Sequence, residues 1–139
     1  MVIFYSYSGN TKALAQELAA KEHADLAEIK DARRPGVARA YTAGCFAALR
    51  GKGWPTQPLQ ADLGRYGRLA LLSPVWAGNA PPAVNAFLEK LPEGKAVAVK
   101  MVSSSGGSRC RARLEAAIKA KGCRMDGFED VKAPAKSSK

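Results

Sequence analysis

Apolar residues fall along this chain in short continuous runs that alternate with recurrences three and four positions apart, the pattern of buried strands alternating with amphipathic helices. Val2-Ile3-Phe4-Tyr5 is bounded by small polar residues and is too short for a helix, so it reads as a buried strand. From Thr11 to Lys21, Leu14, Ala15, Leu18 and Ala19 make an apolar stripe opposite Lys12, Gln16, Glu17 and Lys21, which predicts a helix packed on a sheet. Residues 24–30 form a weaker strand that suits a sheet edge. Strand, helix, strand makes a right-handed crossover, and a parallel sheet follows from it. Pro35-Gly36 breaks the chain, and the four-residue recurrence of Val37, Tyr41, Cys45 and Leu49 up to Arg50-Gly51 predicts a second helix. Trp54 follows in a loop of glycines and prolines, where burial against the preceding helix is expected rather than cover for a cofactor.

The second half is more regular. Leu69–Leu72 is a continuous apolar run, as a central strand covered on both faces requires. Pro81-Pro82 suits a first helical turn, and Val84, Phe87, Leu88 and Leu91 give the helix one apolar face. Ala96–Val102 predicts a fourth strand. A basic helix with Cys110, Leu114, Ala117 and Ile118 inward then stops at Gly122. The last strand falls within residues 123–131, where Asp126-Gly127 reads as a turn, and residues 133–139 read as a mobile tail. One domain, residues 1–132, accounts for the whole pattern.

At 139 residues such a domain buries a core without metal or disulfide staples. The longest apolar run is far below the roughly 18–20 residues that span a bilayer, and Ser6 interrupts any signal-peptide core, so a cytoplasmic protein is expected. Cys45, Cys110 and Cys123 form no C-x-x-C pair and are expected as free thiols. No cysteine opens a C-x5-R phosphatase loop, since Arg50 falls one position early after Cys45. His23 is the only histidine, which leaves no zinc constellation and no histidine triad; it reads as a solvated residue near a helix end. The net charge of +10 collects late in the chain, in Arg109, Arg111, Arg113 and the lysines beyond them. Aromatic residues are not interleaved with these cations, which argues against nucleic acid and in favour of acidic proteins or anionic small molecules as partners.

Candidate chemistry lies in the loops after strands one, three and four. Between the first strand and first helix stand Ser6, Tyr7, Ser8, Gly9, Asn10 and Thr11. A strand-to-helix turn of this kind presents unpaired N–H groups and the positive end of a helix dipole, a good seat for phosphate. Gly9 permits close backbone approach, and Ser6, Ser8, Asn10 and Thr11 add donors without any lysine or arginine. Neither G-x-x-x-x-G-K-[ST] nor G-x-G-x-x-G is present, so a neutral, hydroxyl-rich cradle for one terminal phosphate monoester is the better reading. The second loop is Pro74, Val75, Trp76, Ala77, Gly78 and Asn79, in which Trp76 offers a flat face to an aromatic ring and Gly78 freedom to turn a peptide group. The third is Ser103, Ser104, Ser105, Gly106 and Gly107, whose consecutive N–H groups are expected to meet the polar edge of such a ring.

Ser6-Tyr7-Ser8-Gly9-Asn10-Thr11 resembles the FMN-phosphate loop of the flavodoxin-like family, [ST]-x-[ST]-G-x-T, and matches it in full. The resemblance extends through SPVWAGNAPPAVNAFLEKL and covers nearly the whole chain. It implies a three-layer α/β/α sandwich around a five-stranded parallel sheet of order 2-1-3-4-5, with the crevice at the point where strand order reverses. It further implies non-covalent FMN, its phosphate on Ser6, Ser8, Gly9, Asn10 and Thr11 and its ring between the second and third loops. Beside a flavodoxin-shaped interaction module that has lost the flavin, two redox roles fit: a carrier passing electrons between redox partner proteins, or a small NAD(P)H oxidoreductase acting on a quinone or flavin acceptor. In both the flavin supplies the chemistry, and no catalytic acid or base is nominated. Two departures stand out, since carrier flavodoxins are usually acidic and their third loop often holds a tyrosine over the ring.

Overall fold

The structure is a computed structural model that describes residues 1–133, so most of the expected tail, from residue 134, lies outside the described residues. Five strands form one parallel sheet in the order β2-β1-β3-β4-β5. They are β1 (Val2–Phe4), β2 (Leu26–Glu28), β3 (Arg68–Pro74), β4 (Ala96–Ser103) and β5 (Arg124–Lys132). The connecting helices are α1 (Asn10–Glu22), α2 (residues 37–49), α3 (Pro82–Glu89) and α4 (Arg111–Ala120). The flavodoxin-like order expected from the sequence is the order observed.

Alternation along the strands divides the core between two helical layers, as a period of two dictates. Val2, Phe4 and Leu72 pack with Ala15 and Ala19 of α1. Ile3, Tyr5 and Leu71 face the other way, into the larger cluster with Val84 and Phe87 of α3 and Leu114 and Ile118 of α4. β2 and β5 form the edges. Asp126-Gly127 is not a turn. Val97 pairs with Met125 and Ala98 with Gly127, so Asp126 is the extra residue of a bulge within one continuous strand. Its carboxylate lies 2.9 Å from Arg68 on β3.

The second helix departs from its sequence reading in an instructive way. It runs α-helical over Val37–Arg39, widens to a π turn over Ala40–Gly44 and returns to α over Cys45–Leu49. Its buried residues are Ala40, Gly44 and Ala48, while Val37, Tyr41 and Leu49 are 64%, 77% and 52% exposed. The cause is what lies beneath. A Cβ on Gly44 would stand 2.6 Å from Cζ3 of Trp76 and 3.3 Å from Cη2 of Trp54, so only a line of small residues lets the backbone settle on two indoles. The far end is held by Arg113 of α4, whose Nη1 donates to the carbonyls of Ala48 (3.1 Å) and Leu49 (2.9 Å).

Trp54 is half-buried against α2, as expected, with Nε1 donating to Asp31 Oδ1 at 2.8 Å. The other oxygen of Asp31 accepts from the Tyr5 hydroxyl at 2.6 Å. His23 is exposed at the end of α1, and the three cysteines are free thiols. Among the described residues no helix is long and apolar enough to cross a membrane.

Candidate functional site

Because all strands point the same way, the loops leaving β1, β3 and β4 emerge on one edge of the sheet. They wall a cavity of about 830 Å³, within the range usual for a cofactor or small ligand.

The first loop is shaped by Gly9, which sits at φ 103° as the residue before α1, a conformation that favours glycine. Its N–H is taken by Ser6 Oγ at 3.1 Å. Ser6 and Gly9 therefore shape the turn from behind, while Tyr7, Ser8, Asn10 and Thr11 line the cavity at the start of α1. Thr11 is buried there and Ser8 exposed.

The second loop contributes Pro74, Val75, Trp76, Ala77 and Gly78. Trp76 and Asn79 exchange backbone bonds of 2.8 and 2.9 Å around a two-residue turn. Ala77 (φ 51°) and Gly78 (φ 80°) are both left-handed, as a type I′ turn demands. Asn79 is buried outside the cavity, where Nδ2 donates to the Ala77 carbonyl at 3.1 Å and locks the turn. The Gly78 carbonyl accepts from the Arg109 N–H at 2.6 Å, which leaves neither turn carbonyl idle. Trp76 is held by edge-to-face contacts with Tyr5, Tyr7 and Trp54 at 6.0, 5.7 and 6.2 Å between ring centroids.

The third loop brings Ser103, Ser104, Ser105 and Gly107 to the cavity. Gly106 (φ 78°) stays behind it. Ser103 Oγ accepts from the N–H groups of Gly106 (2.9 Å) and Gly107 (3.1 Å), so these two donors serve the turn and do not face a ligand as the sequence reading expected.

Sequence reasoning missed one wall. Val37, Ala40, Tyr41 and Cys45 of α2 also line the cavity. A signal was present: Ala40, Gly44 and Ala48 share the four-residue spacing of Val37, Tyr41, Cys45 and Leu49. Two competing lines on one helix mean that the smaller packs against something bulky and the larger turns outward.

The charge around the cavity is sparse and positive. Arg109 is the one charged side chain among the described lining residues. Arg34 stacks 4.3 Å over the Tyr7 ring and donates to the Tyr7 carbonyl at 3.1 Å, fixing that aromatic at the rim. Of the other arginines in that run, Arg113 caps α2 and Arg111 lies over Phe128 at 5.7 Å. Burial pushes the Cys45 thiol above its ordinary value. Burial, then the bond to Asp31, pushes the Tyr5 hydroxyl far above the ordinary tyrosine value.

No family model matches the chain, and no curated relative matches it. Solved structures do. The chain is similar to a flavoprotein from Lactobacillus acidophilus NCFM crystallised with FMN, at 23% identity and TM-score 0.73, covering 91% of this chain and 89% of that one. It is similar to the flavodoxin of Streptococcus pneumoniae TIGR4 at 17% identity and TM-score 0.58, covering 97% and 85%. Oxidised flavodoxin 1 from Bacillus cereus aligns at 16% identity and TM-score 0.57, covering 96% and 84%. The fold is that of the flavodoxins.

Proposed function

We propose that the cavity binds FMN non-covalently and that the chain is a redox flavoprotein carrying electrons between partner proteins. One observation carries this reading: a neutral, hydroxyl-rich turn at the start of a thirteen-residue helix opens into the same cavity as an aromatic-walled slot. The structural neighbour crystallised with FMN supports it. The donor set fits the group. Ser8, Asn10, Thr11 and the first N–H groups of α1 would hold the phosphate, with the helix dipole favouring its charge. Trp76 would form the floor of the ring site, kept in place by Tyr5, Tyr7 and Trp54. Ser104 and Ser105 offer polar groups to the ring's edge in place of the glycine N–H groups that Ser103 consumes.

Bound there, the flavin would take up and release one or two electrons. The chain's part is to orient the ring, exclude water from one face and bias its charge through Arg109. Acidic partners suit the +10 surface, and free thiols suit a reducing, cytoplasmic compartment. The test is a titration of flavin-free protein with FMN and with riboflavin, followed by absorbance and flavin fluorescence. FMN should bind much more tightly than riboflavin, and Ser8→Ala should weaken FMN alone by about 1.5–3 kcal/mol, the range for a hydrogen bond to a charged group. Equal affinity for the two flavins would reduce the turn to a helix cap.

A further inference from the structure

Among the described residues the exposed large apolar side chains are concentrated on one helix: besides Leu26, they are Val37, Tyr41, Phe46 and Leu49, all of α2. Apolar area held in water is unfavourable and is relieved when something covers it. Val37, Tyr41 and Cys45 follow each other at four-residue spacing, so they form one line, and that line faces the cavity beside the phosphate-type turn. Phe46 and Leu49 are not among the lining residues.

We infer that the Val37–Tyr41–Cys45 line is an apolar wall of the flavin ring site, with Tyr41 the aromatic that closes against the isoalloxazine. The inference rests on the FMN reading above. Three observations select the ring as the occupant. The third loop carries only serine and glycine where an aromatic partner for the ring would be useful, leaving that role open. The helix is not free to drift: Gly44 seats it on Trp76, itself part of the cavity wall, and Arg113 pins its carboxyl end. The π turn spans Ala40–Gly44, so the helix is distorted where it meets the cavity, a placement that is common at functional sites. Together they continue the Trp76 wall outward with a flat, apolar and so far uncovered surface.

The test uses full-length protein and four titrations with each of FMN and riboflavin: wild type, Tyr41→Ala, Tyr41→Phe and Leu49→Ala. Tyr41 is largely exposed, so its removal leaves the core intact, and Leu49 is a control from the same helix outside the cavity. Tyr41→Ala should weaken both flavins by the same factor, about fivefold to tenfold, because the wall acts on the ring and not on the phosphate. It should also leave the bound flavin more fluorescent. Tyr41→Phe should stay within about twofold of wild type, and Leu49→Ala should not differ. Flavin binding that ignores Tyr41→Ala overturns this inference alone. The same insensitivity, combined with a shift from dimer to monomer in sedimentation, would assign the face to a second copy of the chain instead. A wild-type chain that binds neither flavin overturns the cofactor reading and this inference with it.

Discussion

Gly44→Ala separates two opposite expectations by sign. In an ordinary helix interior the change stabilises by about 1 kcal/mol, because glycine loses more backbone freedom on folding. At this position the new methyl would begin 2.6 Å from Trp76 Cζ3, 3.1 Å from Cε3 and 3.3 Å from Trp54 Cη2. Neither indole can swing aside cheaply. Trp76 is braced by three aromatic neighbours, and Trp54 is tied to Asp31. Overpacking of this kind costs about 1–3 kcal/mol, so the overlap wins and the net loss is about 1 kcal/mol, or roughly 3–5 °C in Tm for a chain of this length. Gly36→Ala is the comparison for a methyl that meets nothing within 4 Å; at this N-cap of α2 it should cost only the preference of a cap for glycine over alanine. Thermal and urea unfolding followed by tryptophan fluorescence reads both variants. If Gly44→Ala is stabilised like a free helix glycine, α2 does not rest on the tryptophans, and its role as a cavity wall loses its foundation.

Asp31→Ala leaves the Tyr5 hydroxyl and the Trp54 indole N–H without their acceptor, and should destabilise by about 2–4 kcal/mol in urea unfolding, with Asp31→Asn costing less. Because the raised Tyr5 value keeps its hydroxyl protonated in the folded chain, stability should fall as the pH climbs above about 10, where the unfolded tyrosine ionises first. Tyr5→Phe should remove much of that alkaline slope, and phenolate absorbance should show Tyr5 resisting ionisation, with Tyr66 also shifted upward by its bond to Asp25. In FMN-loaded protein, Arg109→Glu should lower the potential of the step that adds net negative charge by roughly 40–80 mV, from a Coulomb term on the order of 1–2 kcal/mol. A redox titration measures it, and the same sample tests the carrier role: sustained NAD(P)H oxidation with a quinone would make the protein an enzyme.

What was legible in the sequence was whatever depends on period and punctuation. β1 and β3 show as continuous apolar runs, Val2–Tyr5 and Leu69–Leu72, and β4 as a run broken by Lys100, because both faces of a central parallel strand are covered. Gly9, Gly78 and the paired prolines mark turns by backbone chemistry that few other residues share. The α2 assignment kept the helix but missed its orientation, since a spacing of four recurs in two lines and only the partner across the interface decides which is buried. That partner, Trp76, lies far along the chain. The bulge at Asp126 was equally hidden, because Asp-Gly suits a turn in isolation and becomes a kink in a strand only when β4 supplies the pairing. The N–H groups of Gly106 and Gly107 were read as free donors because a serine three or four residues upstream gives no sign of where its hydroxyl will point.

The arginines show why net charge and local field must be separated. A total of +10 sets a long-range potential that would steer acidic partners, and exposed charges of that sort are screened over about 8–10 Å at ordinary ionic strength. Arg113 is spent on the carbonyls at the end of α2 and Arg111 on the Phe128 ring, so neither presents itself to the cavity. Arg109 does, and its place is set by backbone: its N–H anchors the I′ turn through Gly78 while its side chain runs along that glycine, 3.4 Å from where a Cβ would stand. The same residue thus rigidifies the second loop and supplies the one cation among the described lining residues. Adding salt should therefore slow encounter with an acidic partner while leaving the local bias on a bound flavin largely in place. Reversing Arg109 should do the opposite, since one surface charge in many changes the distant field little and the nearby field a great deal.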